Sequence, residues 1–322
     1  MITFGSKDEM TLITGNANNK LSSSVKSMFI KNYQLYLLAL PALLYLLIFV
    51  YIPMYGIQIA FKDFIAVKGI WGSPWVGFKH FERFFDSYQF WRLMKNTLGL
   101  SFYQLAAGFP IPIVFALMLN QARNERFKKI VQTVTYAPHF IAIVVLTGMI
   151  YVFLSPRNGI VNQMLSVIGT SPIYFMGQPE WYQTIYVFSG VWQNTGWDAI
   201  IYLAALSSID QQLYEAAKVD GARKWHLIKH IDIPCLAPTV VILLILSLGN
   251  IMSVGFDKAY LMQNSLNISV ADVISTYTYK VGLINAQYSY STAIGLFNTV
   301  INFILLLVVN TVARKTSETS LF

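Results

Sequence analysis

The sequence predicts an all-α membrane protein with six transmembrane helices. Of its 322 residues, 55% are hydrophobic and only 12% are charged, and the mean hydropathy is positive. A soluble domain carries about 25% charged residues, so this composition favours the membrane class. Long apolar runs recur along the chain, and the polar segments between them carry most of the basic residues. This alternation is typical of a helical protein that crosses the membrane several times.

Six apolar segments are each about as long as the ~20 residues that an α-helix needs to cross the hydrocarbon core. They are residues 35–55, 97–119, 131–154, 181–206, 235–255 and 288–312. The connection between the first two is long and aromatic. Its aromatic residues recur at helical spacing, namely Phe81, Phe84, Phe85, Tyr88 and Trp91. This spacing predicts an amphipathic helix at the membrane–water interface.

Six spans place both termini and the polar segment 208–234 on the same side of the membrane. Most of the 23 Lys and Arg residues fall in the segments on that side. Because basic residues in short loops stay in the cytoplasm, both termini are predicted to be cytoplasmic. The predicted organisation is a loosely ordered tail (residues 1–30), a six-helix transmembrane domain (residues 31–315) and a short tail (residues 316–322).

The sequence lacks the motifs that several other functions need. A net charge of +8 could indicate a nucleic-acid partner, but the basic residues flank apolar spans instead. The single cysteine, Cys235, excludes an internal disulfide and is expected to pack at the edge of a span. No His and Cys cluster has metal-ligand spacing, and no phosphate-binding glycine loop or nucleophile motif occurs. The sequence therefore predicts no catalytic residue, metal or cofactor on this chain.

The polar segment from Asp210 to Pro234 predicts two short helices joined by a sharp turn. Asp210 can cap the first helix, because its carboxylate accepts hydrogen bonds from free backbone N–H groups. Gly221 can take the positive φ that ends this helix. Pro234 suits the start of the next apolar segment, where its missing N–H costs least.

This segment resembles a known motif. Its pattern is Glu215-Ala216-Ala217, three residues, Gly221, nine residues and then Ile231-Asp232-Ile233-Pro234. The spacing is that of the EAA loop, which marks the membrane-spanning subunits of binding-protein-dependent ABC importers. Ile233 stands where leucine is more usual. An ordinary charged helical hairpin between two spans is the alternative interpretation.

The resemblance implies a docking surface for an ATPase subunit. Small side chains at Ala216 and Ala217 let a partner approach the helix backbone closely, and the surrounding charges fix its orientation. The predicted coupling residues are Glu215, Ala216, Ala217, Lys218, Asp220, Gly221, Arg223 and Pro234. On this hypothesis the partner subunit binds and hydrolyses ATP, and the present chain is not an enzyme.

Further segments are similar to the sugar-permease branch of the family, and within it to the LplB-like subgroup associated with polysaccharide fragments. They are Leu40-Pro41-Ala42, residues 51–56, residues 61–64, residues 75–81 and Asn96-Thr97. The resemblance implies a type I importer fold in a bacterial cell membrane, which moves an oligosaccharide inward by alternating access. The partners it implies are a second, usually different permease, two cytoplasmic ATPase subunits and an extracytoplasmic solute-binding protein or lipoprotein.

Polar residues in the last three spans are candidates for a substrate pathway, because polar groups inside a membrane need a partner or a water-filled cavity. The candidates are Trp192, Asn194, Trp197, Asp198, Asn250, Asp257, Asn298 and Asn302. Sugar hydroxyls need such donors and acceptors, and sugar rings stack on aromatic faces. The alternative is that these residues join packed helices, which is also the interpretation of His139.

Two other classes of transporter stay open as alternatives. An ion-driven secondary transporter favours inverted repeats and a carboxylate deep in a span. No repeat is visible here, and Asp198 is the only such carboxylate. The second alternative is an ABC permease for a non-sugar solute such as an amino acid or an ion.

Overall fold

The structure, a computed structural model, describes residues 31–316. The predicted tails lie outside the described residues, except for Thr316 at the end of the last helix. In the described part of the chain the regular structure is helical, apart from one isolated β-bridge between Lys62 and Trp75. The all-α prediction is confirmed for these residues.

The helices are numbered in chain order. They are α1 (Tyr33–Leu46), α2 (Lys79–Phe85), α3 (Phe90–Gly108), α4 (Pro110–Asn120), α5 (Glu125–Tyr136), α6 (Ile143–Phe153), α7 (Ile160–Val167) and α8 (Pro179–Ser207). They continue with α9 (Gln211–Val219), α10 (Lys224–Leu227), α11 (Ile233–Gly249), α12 (Phe256–Met262), α13 (Ile268–Ala271), α14 (Ile274–Tyr279) and α15 (Tyr288–Thr316). Short helical turns lie at Ile52–Met54, Ala66–Lys68, Gly69–Gly72 and Phe175–Gly177.

The helix α1 belongs to a unit of its own that extends to Gln58, and the remaining chain forms a second unit. No residue of α1 is buried, and a π turn at Leu47–Tyr51 extends it. A helix that is apolar on all sides can meet lipid in every direction, because its backbone hydrogen bonds are satisfied internally. We interpret α1 and its extension as the first membrane span.

Four helical segments are long and apolar enough to cross a membrane by length and composition. They are Tyr33–Phe61, Phe90–Asn120, Lys224–Gly249 and Tyr288–Lys315. A bent pair, Glu125–Phe140 with Ile143–Phe153, makes a fifth if it counts as one span. A total of six spans therefore stays a prediction, because it requires that α8 also crosses the membrane. This helix has 29 residues, and at about 1.5 Å per residue it is long enough to cross.

The helix α8 lies at the centre of the second unit, and this explains why it is less apolar than the other long helices. It packs against α3, α4, α5 and α11. Tyr182, Tyr186 and Val187 in its first half are buried with Leu100 of α3. In its second half, Ala199, Tyr202 and Leu206 are buried in another cluster with residues of α4 and α11. A helix enclosed by protein can carry polar side chains that lipid would not accept.

The third predicted span, residues 131–154, is not one continuous helix. Its two halves, α5 and α6, meet at an angle of 99°. A 3₁₀ turn at Ala137–Phe140 contains Pro138, whose missing N–H and ring disrupt the helical hydrogen bonds. Gln193 of α8 donates from Nε2 to the carbonyl oxygen of Ile141 at 2.8 Å, which satisfies a backbone group at the break. The prediction of a single helix was wrong at this point.

The fifth predicted span also differs from the expectation at both ends. The helical segment begins at Lys224, continues through a π turn at Ile228–Asp232 and ends at Gly249. Pro234 therefore lies inside a continuous helical segment instead of opening it. The chain after Gly249 is irregular until α12 begins, so Asn250 and Asp257 do not share a helical stripe with Ser247.

Two expectations were wrong. The aromatic residues at positions 81–91 do not form one interfacial helix, because α2 ends at Phe85 and Trp91 lies in α3; within α2, Phe84 is 0% exposed. Its ring packs edge-on against Phe90 and Phe297. Cys235 is exposed, and it is the free cysteine among the described residues.

Gly196 lies where α8 packs closely against the backbone of α5. A Cβ added at this position would lie 2.3 Å from the carbonyl oxygen of Thr135. We expect Gly196→Ala to lower the thermal unfolding midpoint of the purified protein, because overpacking against backbone costs about 1–3 kcal/mol. Gly148→Ala is the matched control, since nothing lies within 4 Å of the added atom. An increase in the midpoint for both variants would contradict the close packing.

Candidate functional sites

The loop between α8 and α11 has the local structure that its sequence predicts. The Asp210 side chain caps α9 by accepting a hydrogen bond from the backbone N–H of Gln212 at 2.9 Å. Gly221 takes a φ of +80°, and the backbone N–H of Ala222 donates to the Ala217 carbonyl at 2.9 Å. Both features are confirmed. The cap begins α9, and the turn at Gly221 ends it before the next helical segment begins at Lys224.

The two alanines of this loop face different surroundings. Ala216 is exposed, whereas Ala217 is partly buried against a cluster that contains Tyr214 and Leu227. The other predicted coupling residues are exposed, namely Glu215, Lys218, Asp220, Gly221, Arg223 and Pro234. Among residues 31–316 no ion pair is formed by any of these charged side chains. The surface that a partner could approach is therefore centred on Ala216 and is lined by unpaired charges.

The sequence-based interpretation missed three exposed apolar side chains on the same loop. Leu213 is 51%, Val219 88% and Trp225 66% exposed. Exposed apolar residues on a polar loop are typical of a surface that binds another protein. The signal was present in the sequence, since all three interrupt an otherwise polar segment.

Tyr214 holds α9 against the rest of the chain. Its hydroxyl donates to Oδ1 of Asp232 at 2.5 Å, and both side chains are buried. Burial, together with this hydrogen bond to a carboxylate, raises the pKa of Tyr214 well above its ordinary value. The hydroxyl therefore stays protonated and remains a donor at physiological pH.

A second candidate site is an open cavity of about 500 Å³ in the centre of the second unit. Its walls come from α3, α4, α8 and α11 and from the irregular chain after Gly249. Polar groups project into it from several of these segments, among them Ser101, Gln104, Asn194, Thr195, Asp198, Tyr202, Ser247 and Asn250. A smaller cavity of about 190 Å³ shares Gln104 and Asn194 with it and adds Asp257 and Lys258.

The structure separates the predicted pathway residues into groups. Asn194, Asp198 and Asn250 line the larger cavity, and Asp257 lines the smaller one. Trp192 and Trp197 are exposed and lie outside both linings. Helical spacing paired Asn194 with Asp198 and Gln193 with Trp197, but it could not show which of these side chains face the cavity.

Trp197 packs against His139 at the break of the third predicted span. The two rings stack with 4.3 Å between centroids and 2° between planes. Nδ1 of His139 lies 2.9 Å from Oδ1 of Asn194. His139 thus has a packing and a hydrogen-bond partner, as the sequence-based interpretation expects, and it orients the amide of a cavity residue.

The two asparagines of α15 lie outside both cavities. Asn302 accepts a hydrogen bond from the backbone N–H of Met252 at 3.0 Å and donates to Oγ of Ser253 at 2.9 Å. It therefore holds the irregular chain that follows α11. The buried Oδ1 of Asn298 has no hydrogen-bond partner within the described residues.

Lys258 is a cavity residue that the sequence did not single out. Its side chain is 7% exposed, and Nζ donates to the backbone oxygen of Tyr186 at 2.7 Å. The ammonium also lies 4.7 Å from the centroid of the Tyr186 ring. No carboxylate forms an ion pair with it in the described part of the chain. A cation beside a cavity without a fixed counter-ion can pair with an anionic ligand.

Comparison with known proteins identifies the family. Residues 108–318 match the family of binding-protein-dependent transport system inner membrane components. The chain belongs to this family. It is a multi-pass membrane protein, and family members are the permease components of their transport systems. The predicted resemblance of the loop is thereby confirmed at the level of the family.

Two relatives from Bacillus subtilis (strain 168) extend over nearly the whole chain. The permease is 42% identical to the protein LplB over 288 residues, which are 89% of this chain and 91% of LplB. It is 43% identical to the polygalacturonan/rhamnogalacturonan transport system permease protein YteP over 293 residues, 91% of each chain. The predicted resemblance to the LplB-like subgroup is confirmed.

Solved structures show the same fold. The permease is similar to a chain of a bacterial ABC transporter involved in the import of the acidic polysaccharide alginate. The TM-score is 0.85 with 44% identity, and the match covers 91% of this chain and 99% of the other. The alginate transporter in complex with an alginate pentasaccharide-bound periplasmic protein gives a TM-score of 0.84. The predicted importer permease fold is confirmed by this likeness.

Proposed function

We propose that the permease moves an oligosaccharide into the cell by alternating access, driven by ATPase subunits that dock on its α9 loop. One observation carries this proposal. The polar cavity and the exposed Ala216 surface are connected through the same helices, since α4, α8 and α11 line the cavity and pack on the loop. A displacement of the loop can therefore reach the cavity walls through rigid elements.

The proposed assembly contains a second permease, two ATPase subunits and an extracytoplasmic binding protein. In this assembly ATP closes the ATPase subunits, the α9 helix moves with them, and the cavity opens towards the binding protein. Hydrolysis then resets the permease. The chain crosses the membrane six times, with α8 as one span and both termini in the cytoplasm.

The substrate that we propose is a carboxylated oligosaccharide. Amide and carboxylate groups at Asn194, Asp198 and Asn250 can hydrogen-bond sugar hydroxyls. The buried ammonium of Lys258 can pair with a sugar carboxylate. Two similar proteins support this substrate class, because one is involved in the import of the acidic polysaccharide alginate and the other, YteP, is a polygalacturonan/rhamnogalacturonan transport system permease.

A second candidate function is ion-driven transport, which Asp198 favours because it lines the cavity and forms no ion pair with the residues that the structure describes. The two functions are separated by uptake of an oligogalacturonate into proteoliposomes that contain the complete complex. We expect uptake with enclosed ATP and no uptake with a sodium or proton gradient alone. Uptake with a gradient in the absence of ATP would contradict the proposal.

The proposed topology is tested with single cysteines in a Cys235→Ser background. Arg126→Cys lies in the first turn of α5, within the predicted cytoplasmic segment, and Ser171→Cys lies in an outer loop; both positions are exposed. In intact cells we expect an impermeant thiol reagent to label the cysteine at position 171 only. Permeabilised cells are the control, since both should then react. Labelling of position 126 alone in intact cells would reverse the orientation.

The role of Lys258 predicts a pH dependence of substrate affinity. Lys258 lies in α12, outside the candidate membrane-spanning helices, and burial lowers its pKa to about 8. The ammonium is therefore largely present at pH 7 and is lost as the pH rises through 8, so the attraction for a carboxylate weakens. Between pH 7 and pH 9, we expect the half-saturation concentration for an oligogalacturonate to rise about tenfold, because a charge-assisted hydrogen bond contributes about 1.5–3 kcal/mol.

Two controls isolate the charge of this lysine. A neutral oligosaccharide should show no comparable rise, and Lys258→Met, which has similar length but no charge, should remove the pH dependence for the oligogalacturonate. An equal pH dependence in the wild-type and Lys258→Met proteins would rule out this ammonium as the group that recognises the carboxylate.

A further inference from the structure

Asp232 is a buried carboxylate at which three segments of the permease meet. Its side chain is 0% exposed, and it is the last residue of the π turn between α10 and α11. Asp232 forms no ion pair with any residue from 31 to 316. Burying a carboxylate without a counter-ion is costly unless hydrogen bonds compensate for the lost water.

Donors from two other segments supply this compensation. The Tyr214 hydroxyl on α9 donates to Oδ1 at 2.5 Å, and Gln121 donates from Nε2 to Oδ2 at 2.8 Å. Nδ2 of Asn120, the last residue of α4, lies 3.4 Å from Oδ1. In addition, Lys224 donates from Nζ to the backbone oxygen of Gln121 at 3.3 Å. The loop helix, the end of α4 and the start of α11 are thus joined at one charged group.

We propose that Asp232 is a positioning residue that makes these three segments move as one body when the loop is displaced. The inference rests on the coupling role proposed above for the α9 loop. If α9 moved relative to α4 or α11, a buried charge would lose a hydrogen bond. If all three moved together, every bond would be kept. Joint motion of the three segments therefore costs less free energy than motion of α9 alone.

A joint motion of the three segments would be transmitted to the cavity through two helices, α4 and α11, instead of through α11 alone. Pro112 of α4 and Ser247 of α11 both line the cavity, and each lies on a helix that is attached to Asp232 at its other end. The loop is linked to α11 by the chain itself, but its link to α4 depends on side chains. Asp232 supplies the polar part of that link, so we infer that it transmits the displacement of the loop to the α4 wall of the cavity.

A swap of donor and acceptor tests the inference in the complete complex. In Gln121→Glu, two carboxylates face each other and the bond to Asp232 is lost. In the double variant Gln121→Glu/Asp232→Asn, the new amide can donate to the new carboxylate while its oxygen still accepts from Tyr214. The measurements are substrate transported per ATP hydrolysed, the half-saturation concentration and the yield of complex, all in proteoliposomes.

We expect Gln121→Glu to lower transport per ATP about fivefold or more, and the double variant to restore it. The half-saturation concentration should stay unchanged, because none of these residues lines the cavity. Tyr214→Phe is the second variant, since it removes one hydroxyl and keeps the packing. It should lower transport per ATP in the same direction, even if Gln121→Glu does not assemble.

Three results would overturn the inference. They are unchanged transport per ATP in the single variants, failure of the double variant to restore it, and a loss of complex yield with normal transport per ATP in what remains. The last result would show a structural role alone. If Ala216→Trp abolishes substrate-stimulated hydrolysis while the Asp232 series has no effect, the coupling role of the loop stands and only the role of Asp232 fails. If Ala216→Trp has no effect either, the proposed function fails with it.

Discussion

Ala216→Trp is expected to abolish substrate-stimulated ATP hydrolysis while leaving the permease inserted and folded. Ala216 is exposed at the centre of the α9 surface, and a large side chain there would keep a partner away from the helix backbone. Interfaces of this kind depend on close packing at their centre. The measurement is the ATPase rate of the reconstituted complex with and without the substrate-loaded binding protein.

Two variants serve as controls for this result. Ala216→Ser keeps a small side chain and should keep most of the stimulation. Ala217→Trp should instead lower the yield of folded protein, because Ala217 packs against the cluster that contains Tyr214 and Leu227. Stimulated hydrolysis at the wild-type rate in Ala216→Trp would remove this surface as the docking site.

Asp198→Asn is expected to weaken the apparent affinity for substrate by about ten- to a hundredfold. The side chain lines the larger cavity and forms no ion pair within the described residues, so a sugar hydroxyl can use it as an acceptor. A charge-assisted hydrogen bond contributes about 1.5–3 kcal/mol, which corresponds to that change in the half-saturation concentration. Basal ATP hydrolysis should persist, because the docking surface is untouched.

Trp197→Ala is the informative contrast, since Trp197 lies on the same helix but outside the cavity lining. Its ring stacks on His139, which holds the amide of Asn194, so its loss should reduce the amount of assembled complex and change the half-saturation concentration less than Asp198→Asn does. If Asp198→Asn instead lowered assembly and left the half-saturation concentration as in the wild type, Asp198 would be a packing residue and the pathway would have to lie elsewhere.

The loop could be predicted from the sequence because its structure depends on neighbours in the chain. A carboxylate at Asp210 caps the helix that follows it, and Gly221 supplies the positive φ, wherever the loop is placed. The membrane class and the positions of most long helices follow from composition in the same way. The family motif then predicted the permease fold, which the likeness to the alginate transporter confirms.

The cavity could not be predicted to the same extent, because its lining depends on tertiary packing. Periodicity paired Asn194 with Asp198 and Gln193 with Trp197 along α8. It could not show that the break at Pro138 brings His139 over Trp197 and covers one side of its ring. The burial of Lys258 and Asp232 depends on distant segments that meet only in the fold. Since sequence spacing carries no information about such contacts, the surroundings of both residues were found from the structure alone.

The most direct test of the proposed mechanism is the accessibility of the cavity from each side of the membrane. Ser247→Cys in a Cys235→Ser background places one thiol on the α11 wall of the cavity. In the complete complex, an impermeant thiol reagent added from the extracytoplasmic side should label it when ATP is trapped and not when nucleotide is absent. Adding Ala216→Trp should abolish this difference. Equal labelling with and without trapped ATP in the complex with native Ala216 would contradict alternating access driven through the loop.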